Sequence, residues 1–422
     1  MLVTARARVW RYLLILGPGL IVANAGNDAG GIFTYSNVGA KYGYSLLWTV
    51  IPTTIALIVV QEMVARLGAV TGKGLMDLIR ESFGVRWTAF AVLVILVANG
   101  GTLLAEFAGV AGGFGLLGVP RWVAIPFSAA ILAVVVLRGN RPIVERIFLA
   151  LGLAFLSYFV TAILVHPDWS RIGGSLANVT SPHPGTSTQA YLVDVIALIG
   201  TSITPYMQLY LQSSVVEKET PLKDYAFVRL DVISGSIFAE LVASFIIITT
   251  AVTLFPHGFG GKGVGSAAEA AQALIPLAGI HAGQLFAVGL IGASLLAAAV
   301  LPLSTAFVVC EGFGAERSVD SRFSDAPVFF GLFLGLLAVT AVVMILPGGP
   351  IAGVAIGTQT LDGILLPVLL VFILLLVNNR RLMGRYVNGR AANAVGGVAV
   401  AALILLTGLL LVSLVPGGPL ST

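Results

Sequence analysis

Asp28-Ala29-Gly30-Gly31 sets a carboxylate and two glycines inside a stretch apolar enough to cross a bilayer. A charged side chain at the bilayer centre costs roughly 2.5–3.5 kcal/mol or more, and such a group marks an ion or substrate path. The glycines in Ala25-Gly26-Asn27-Asp28-Ala29-Gly30-Gly31 are each about 1 kcal/mol poorer in a helix than alanine. Unwinding there frees backbone carbonyls, which are tolerated at membrane depth only around a polar cavity. A second segment, Gly200-Thr201-Ser202-Ile203-Thr204-Pro205-Tyr206, is interrupted by a proline that removes a backbone donor. Together the segments offer oxygen: the Asp28 carboxylate, the Thr204 hydroxyl, and carbonyls at Ala25 and Thr201. Gly31 beside the acid leaves room for water. Carboxylate, carbonyl and water suit Mg2+, Ca2+ and Mn2+. Mg2+ gives up its waters reluctantly and is held by one or two carboxylates. Tyr206, Glu106, Gln359 and Asp362 are secondary candidates, the last two close enough to share a turn of one helix.

These residues need a membrane scaffold to position them, and the composition supplies one. The chain is 58% hydrophobic and 10% charged, with mean hydropathy +1.00, against about 25% charged residues in a soluble domain. Eleven apolar runs reach the length of a span: 12–38, 44–65, 87–116, 122–138, 147–165, 189–215, 230–255, 284–310, 326–347, 351–377 and 393–415. The expected fold is all-α and polytopic, one membrane domain over 1–422. Of the 23 Lys and Arg, only Lys41, Arg121, Arg171 and Lys262 fall on one side of this arrangement. The positive-inside rule therefore puts the N-terminus in the cytoplasm and the C-terminus outside. No cleavable signal peptide is read at the start. The single Cys310 excludes an intramolecular disulfide framework, and the scattered basic loops do not suggest nucleic-acid binding.

The longest connections both lie outside. Residues 166–188 read as an irregular loop, and 266–274 as a short helix lying over the outer face. The interrupted runs, first and sixth, are five spans apart. Matched breaks of this kind point to an inverted repeat with the substrate between them: 12–165, then 189–377, with 393–415 as an extra helix.

The chain resembles the Nramp divalent-metal transporters. The carrying residues are Gly17-Pro18-Gly19, Asp28, Gly30, Thr34, Gly39, Tyr42-Gly43-Tyr44 and Leu46-Leu47-Trp48. Ala65-Arg66-Leu67-Gly68, Val70-Thr71-Gly72-Lys73, Thr102, Leu104-Ala105-Glu106, Gly109, Tyr210-Leu211 and Ser213 extend the likeness. The family's Asp-Pro-Gly-Asn is Asp28-Ala29-Gly30-Gly31 here, and its Met-Pro-His is Thr204-Pro205-Tyr206, with one extra residue between Pro205 and Tyr210. A third-span Asp corresponds to Leu103, and the sixth-span histidines to Tyr206 and Gln212. These departures resemble the Nramp-related magnesium transporters (NRMT). That resemblance implies a LeuT-type fold, Mg2+ and Mn2+ transport, and no proton coupling.

Histidine is the side chain that titrates near neutral pH, and His166, His183, His257 and His281 all fall in expected outer loops. The expectation is an importer of partly hydrated Mg2+ and Mn2+, uncoupled from protons, working by alternating access in the cell (inner) membrane. It is not an enzyme and uses no cofactor, and its partners are divalent cations and the bilayer, with no obligate protein partner. The alternatives are a proton-coupled Mn2+/Fe2+ importer and, from another class, a divalent-cation channel.

Overall fold

Small residues where the chain must part, and long apolar runs elsewhere, set the architecture of the computed structural model, which describes residues 17–177, 187–219, 222–346 and 354–413. The described residues are all-α. The first span is a pair of half-helices, α1 (Pro18–Ala25) and α2 (Ala29–Tyr42). Then come α3 (Val50–Thr71), the amphipathic α4 (Leu75–Phe83), α5 (Val85–Leu116) and α6 (Arg121–Arg138). The fifth span is α7 (Arg141–Gly152) and α8 (Leu156–Leu164), joined by a 3-10 turn at Leu153–Phe155. A short helix α9 (Trp169–Ala177) follows, so the first part of the expected irregular loop is helical. The cause is an amphipathic run that Asp168 opens by accepting from the Ser170 and Arg171 amides.

The sixth span is again a broken pair, α10 (Thr188–Ser202) and α11 (Pro205–Glu217). The chain continues through α12 (Tyr225–Thr253), α13 (Ala267–Ala278), α14 (Ile280–Phe313), α15 (Pro327–Ile345), α16 (Val354–Val377), α17 (Arg380–Met383) and α18 (Arg390–Ser413). Ten stretches among the described residues are long and apolar enough to cross a membrane. The α1/α2 pair precedes them, each half too short to qualify alone. Residues 12–16 of the expected first run and 178–186 of the expected loop lie outside the described residues.

Packing brings the two broken pairs to the centre. α1 and α2 lie along α12, α10 lies along α16, and α5 crosses α14. Asn99 on α5 ties that crossing by donating to the Thr305 hydroxyl at 2.8 Å. The expected outer helix exists as α13. Ser266 caps it by accepting from the Glu269 amide, and Glu269 accepts from the Gly265 amide at 2.6 Å, a reciprocal arrangement close to a capping box. Its buried residues, among them Ala270, Ala271 and Leu274, face neighbours that include α2, α5 and α14.

Candidate functional site

The first break is an exchange of hydrogen-bond partners. In an unbroken helix the Ala29 amide would donate to the Ala25 carbonyl. Here that amide donates to Oε2 of Glu106 on α5 at 3.0 Å. The released Ala25 carbonyl accepts from the Tyr206 hydroxyl on α11 at 2.6 Å. Gly26, Asn27 and Asp28 form the link between the halves, and Asn27 clamps it by donating to the Ala239 carbonyl of α12 at 2.9 Å. Asp28 then caps α2 from an extended backbone, accepting from the Gly31 amide at 2.6 Å. A carboxylate at a helix N-terminus is also favoured by the helix dipole.

The second break follows from Pro205. The carbonyl whose helical donor would be residue 205 is that of Thr201, and proline has no N–H to give it. Thr204 takes the N-cap position with an extended backbone, and Pro205 starts α11, where its fixed φ suits the first turn. The hydroxyls of Thr201 and Thr204 are both buried, and among the described residues neither has a well-formed hydrogen bond.

The Thr201 hydroxyl and one Asp28 oxygen both border the Cβ position of Gly31, and Asp28 is fully buried. Gln359 of α16 donates through Nε2 to both carboxylate oxygens, at 3.2 and 3.3 Å, while its own Oε1 is buried and unpartnered. Gln359 comes this close only because residue 30 is glycine: a Cβ there would stand 2.1 Å from its Nε2. The Tyr206 hydroxyl lies 3.3 Å from the other Asp28 oxygen. Glu106 keeps one buried oxygen without a partner. Asp362, one turn from Gln359, is bonded to the Thr102 hydroxyl at 3.0 Å rather than to Asp28. Among the described residues no cluster of three His, Cys, Asp or Glu is arranged to hold a metal.

Several expectations change at atomic detail. Gly31 does not open free space: a Cβ there would meet the Thr201 hydroxyl at 2.6 Å, so that side chain already fills the volume. The Ala25 carbonyl, expected to be bare, is bonded by Tyr206. Thr201 contributes a side-chain oxygen as well as a carbonyl. The residue missed is Met207. A Cβ on Gly26 would meet its sulfur at 2.5 Å, so a thioether lies against the first break after all. The extra residue after Pro205 was the available signal, since it displaces everything that follows by one position. Asp194, near the start of α10, is not a free anion: it pairs with Lys41 at 2.6 Å and accepts from the Tyr42 hydroxyl at 2.7 Å. Of the expected outer-loop histidines, His166, His257 and His281 are exposed, though His281 already belongs to the first turn of α14. His183 lies outside the described residues.

Two facing broken helices with a buried acid at the crossing define a class: membrane transporters that bind their substrate at unwound backbone. Sequence comparison narrows it. A model of the family "Natural resistance-associated macrophage protein-like" matches residues 19–413. The chain belongs to this family, Nramp, and is a divalent-metal transporter in a membrane rather than an enzyme. It is 31% identical to the divalent metal cation transporter MntH of Deinococcus radiodurans, over 97% of this chain and 92% of that protein. The MntH of Ralstonia nicotianae is 32% identical, over 92% and 88%. Among solved structures, the manganese transporter of Eremococcus coleocola superposes with a TM-score of 0.73 at 18% identity, covering 97% of this chain and 89% of that one. The nucleobase-cation-symport-1 family transporter Mhp1 gives 0.59 at 14% identity, covering 96% and 94%. The fold is thus the LeuT-type arrangement.

Proposed function

We propose that this chain imports Mg2+ and Mn2+ as partly hydrated ions, by alternating access and without proton coupling, as in the magnesium-transporting branch of the family. The donor set around Asp28 carries the proposal: one carboxylate, the Thr201 and Thr204 hydroxyls, the Thr201 and Ala25 carbonyls and the Gln359 amide oxygen. All are hard oxygen donors, and a single carboxylate leaves several positions to water. The exposed histidines and the engagement of Glu106 with the Ala29 amide support an uncoupled cycle. Two polar cavities support alternating access. One, about 430 Å³, lies beside Lys41 and Asp194 at the start of α10. The other, about 650 Å³, is lined by Ser213, Val216 and Glu311 towards the end of α11. In this reading, which the sorting of Lys and Arg supports, the first cavity is outside and the second cytoplasmic in the plasma membrane; the matched breaks support 12–165 and 189–377 as inverted repeats, with 393–415 added.

A second reading, proton-coupled Mn2+ or Fe2+ import, is favoured by Met207, because a thioether selects softer metals. The sequence relatives are named divalent metal cation transporters, a class that both readings share. One experiment separates the two. In proteoliposomes carrying a luminal pH dye, excess Mg2+ is expected to suppress Mn2+ uptake while the lumen keeps its pH. Mn2+ uptake indifferent to Mg2+, or metal-driven acidification of the lumen, sinks the proposal. Asp28→Ala is expected to abolish uptake of both ions.

A further inference from the structure

The Tyr206 phenol bonds the same two groups that the proposed site needs, the Ala25 carbonyl at 2.6 Å and the Asp28 carboxylate at 3.3 Å. We propose that Tyr206 is a placeholder for the ion: it bridges the two ligands when the carrier returns unloaded, and an arriving ion expels it. This rests on Asp28 and Ala25 being ligands, but not on which ion is carried or on proton coupling.

Three features support it. The first is exclusivity. The phenol has one proton, shared between the Ala25 carbonyl at 2.6 Å and the Asp28 carboxylate at 3.3 Å; an ion bonded to both groups would take the same space. The second is the energy of the break. The Ala25 carbonyl has lost its helical donor to Glu106, and a buried acceptor left without a donor is costly. Some group must satisfy it in each state, either the ion or the phenol. The third is leverage. Tyr206 is the second residue of α11, directly after the proline that breaks the sixth span. Its own carbonyl accepts from Ser304 of α14 at 3.2 Å. Expelling the phenol therefore moves a ring at the pivot of α11, the half-helix that runs to the Ser213 cavity. The ring is almost fully buried, so it cannot swing out without displacing its neighbours.

A carrier with such a placeholder has a signature. Net uptake requires the unloaded return step, whereas exchange of labelled for unlabelled ion does not. Tyr206→Phe leaves the Ala25 carbonyl bare during the return step alone. Purified Tyr206→Phe is expected to bind Mn2+ more tightly than the wild type, because no phenol competes. In proteoliposomes its Mn2+-for-Mn2+ exchange stays near the wild-type rate. Its net Mn2+ uptake falls by about tenfold or more, the scale of one lost buried hydrogen bond. Weakened or absent Mn2+ binding by Tyr206→Phe overturns the proposal, since the phenol is then a ligand or a structural brace. An equal fall in exchange and net uptake overturns it, as does no change in either. Asp28→Ala, run in the same binding assay, keeps the two ideas apart. Binding that survives Asp28→Ala removes the site itself and the placeholder with it. Binding lost in Asp28→Ala, with Tyr206→Phe failing its signature, removes the placeholder alone.

Discussion

At the scale of single residues, a collision limits what can stand at position 31. Restoring Asn at position 31 looks like the simplest way to return a family ligand, yet its Cβ would stand 2.6 Å from the Thr201 hydroxyl. Overpacking of this kind costs about 1–3 kcal/mol. Gly31→Asn alone is therefore expected to lower uptake of both ions, with the Mg2+ to Mn2+ preference little changed. Adding Thr201→Ala makes room for the amide, whose oxygen replaces the lost Thr201 hydroxyl as a donor, and is expected to recover transport in part. Adding Thr204→Met as well brings a thioether to the start of α11 and shifts preference from Mg2+ to Mn2+. Competition uptake across the three variants checks the order of effects, and an unshifted preference in the triple variant refutes the hard-ligand account. Asp28 was readable from its residue type and setting. The Thr201 collision was not, because it joins residues on different half-helices.

At the scale of elements, Glu106 acts as the acceptor that lets α1 and α2 part. Glu106→Gln keeps a carbonyl oxygen for the Ala29 amide, whereas Glu106→Leu leaves that buried donor bare at about 1–3 kcal/mol. Uptake is expected to survive Glu106→Gln and to fall by about ten- to a hundredfold in Glu106→Leu. Equal loss in both variants would mean that the charge matters, as in a proton relay. Other ties hold the half-helices at their far ends. Asp231 of α12 caps α1, accepting from the Gly19 amide at 2.7 Å. The Lys41–Asp194 pair joins the last turn of α2 to the first half of α10. The half-helices were legible as glycine clusters and one proline. Their ties were not, since they join positions such as Asp231 and Gly19 that only packing brings together. The α9 helix was missed because Ser, Thr, Pro and Gly dominate the rest of its loop.

At the scale of the molecule, the proposal is a statement about charge. An inside-negative potential contributes about 2.3 kcal/mol per charge per 100 mV, hence about 4.6 kcal/mol for a divalent ion. That sustains an accumulation of roughly three powers of ten without a second ion. Mn2+ uptake into proteoliposomes clamped at this potential is expected to rise steeply over uptake at zero potential and to stay flat across an imposed pH gradient. Drive by the pH gradient at zero potential would replace this account with a coupled one.

The sequence by itself determined that the chain is a polytopic α-helical membrane protein, that its first and sixth spans are interrupted, and that Asp28 lies at the first interruption. These follow from hydropathy and backbone propensity, which are local. Tertiary structure alone decided where the freed backbone groups go. The Ala29 amide goes to Glu106, the Ala25 carbonyl to Tyr206, and the Asp28 oxygens to Gln359, 331 positions further along the chain. The reason is physical: a buried polar group takes whichever partner the packing presents, and local sequence does not encode which distant helix that will be.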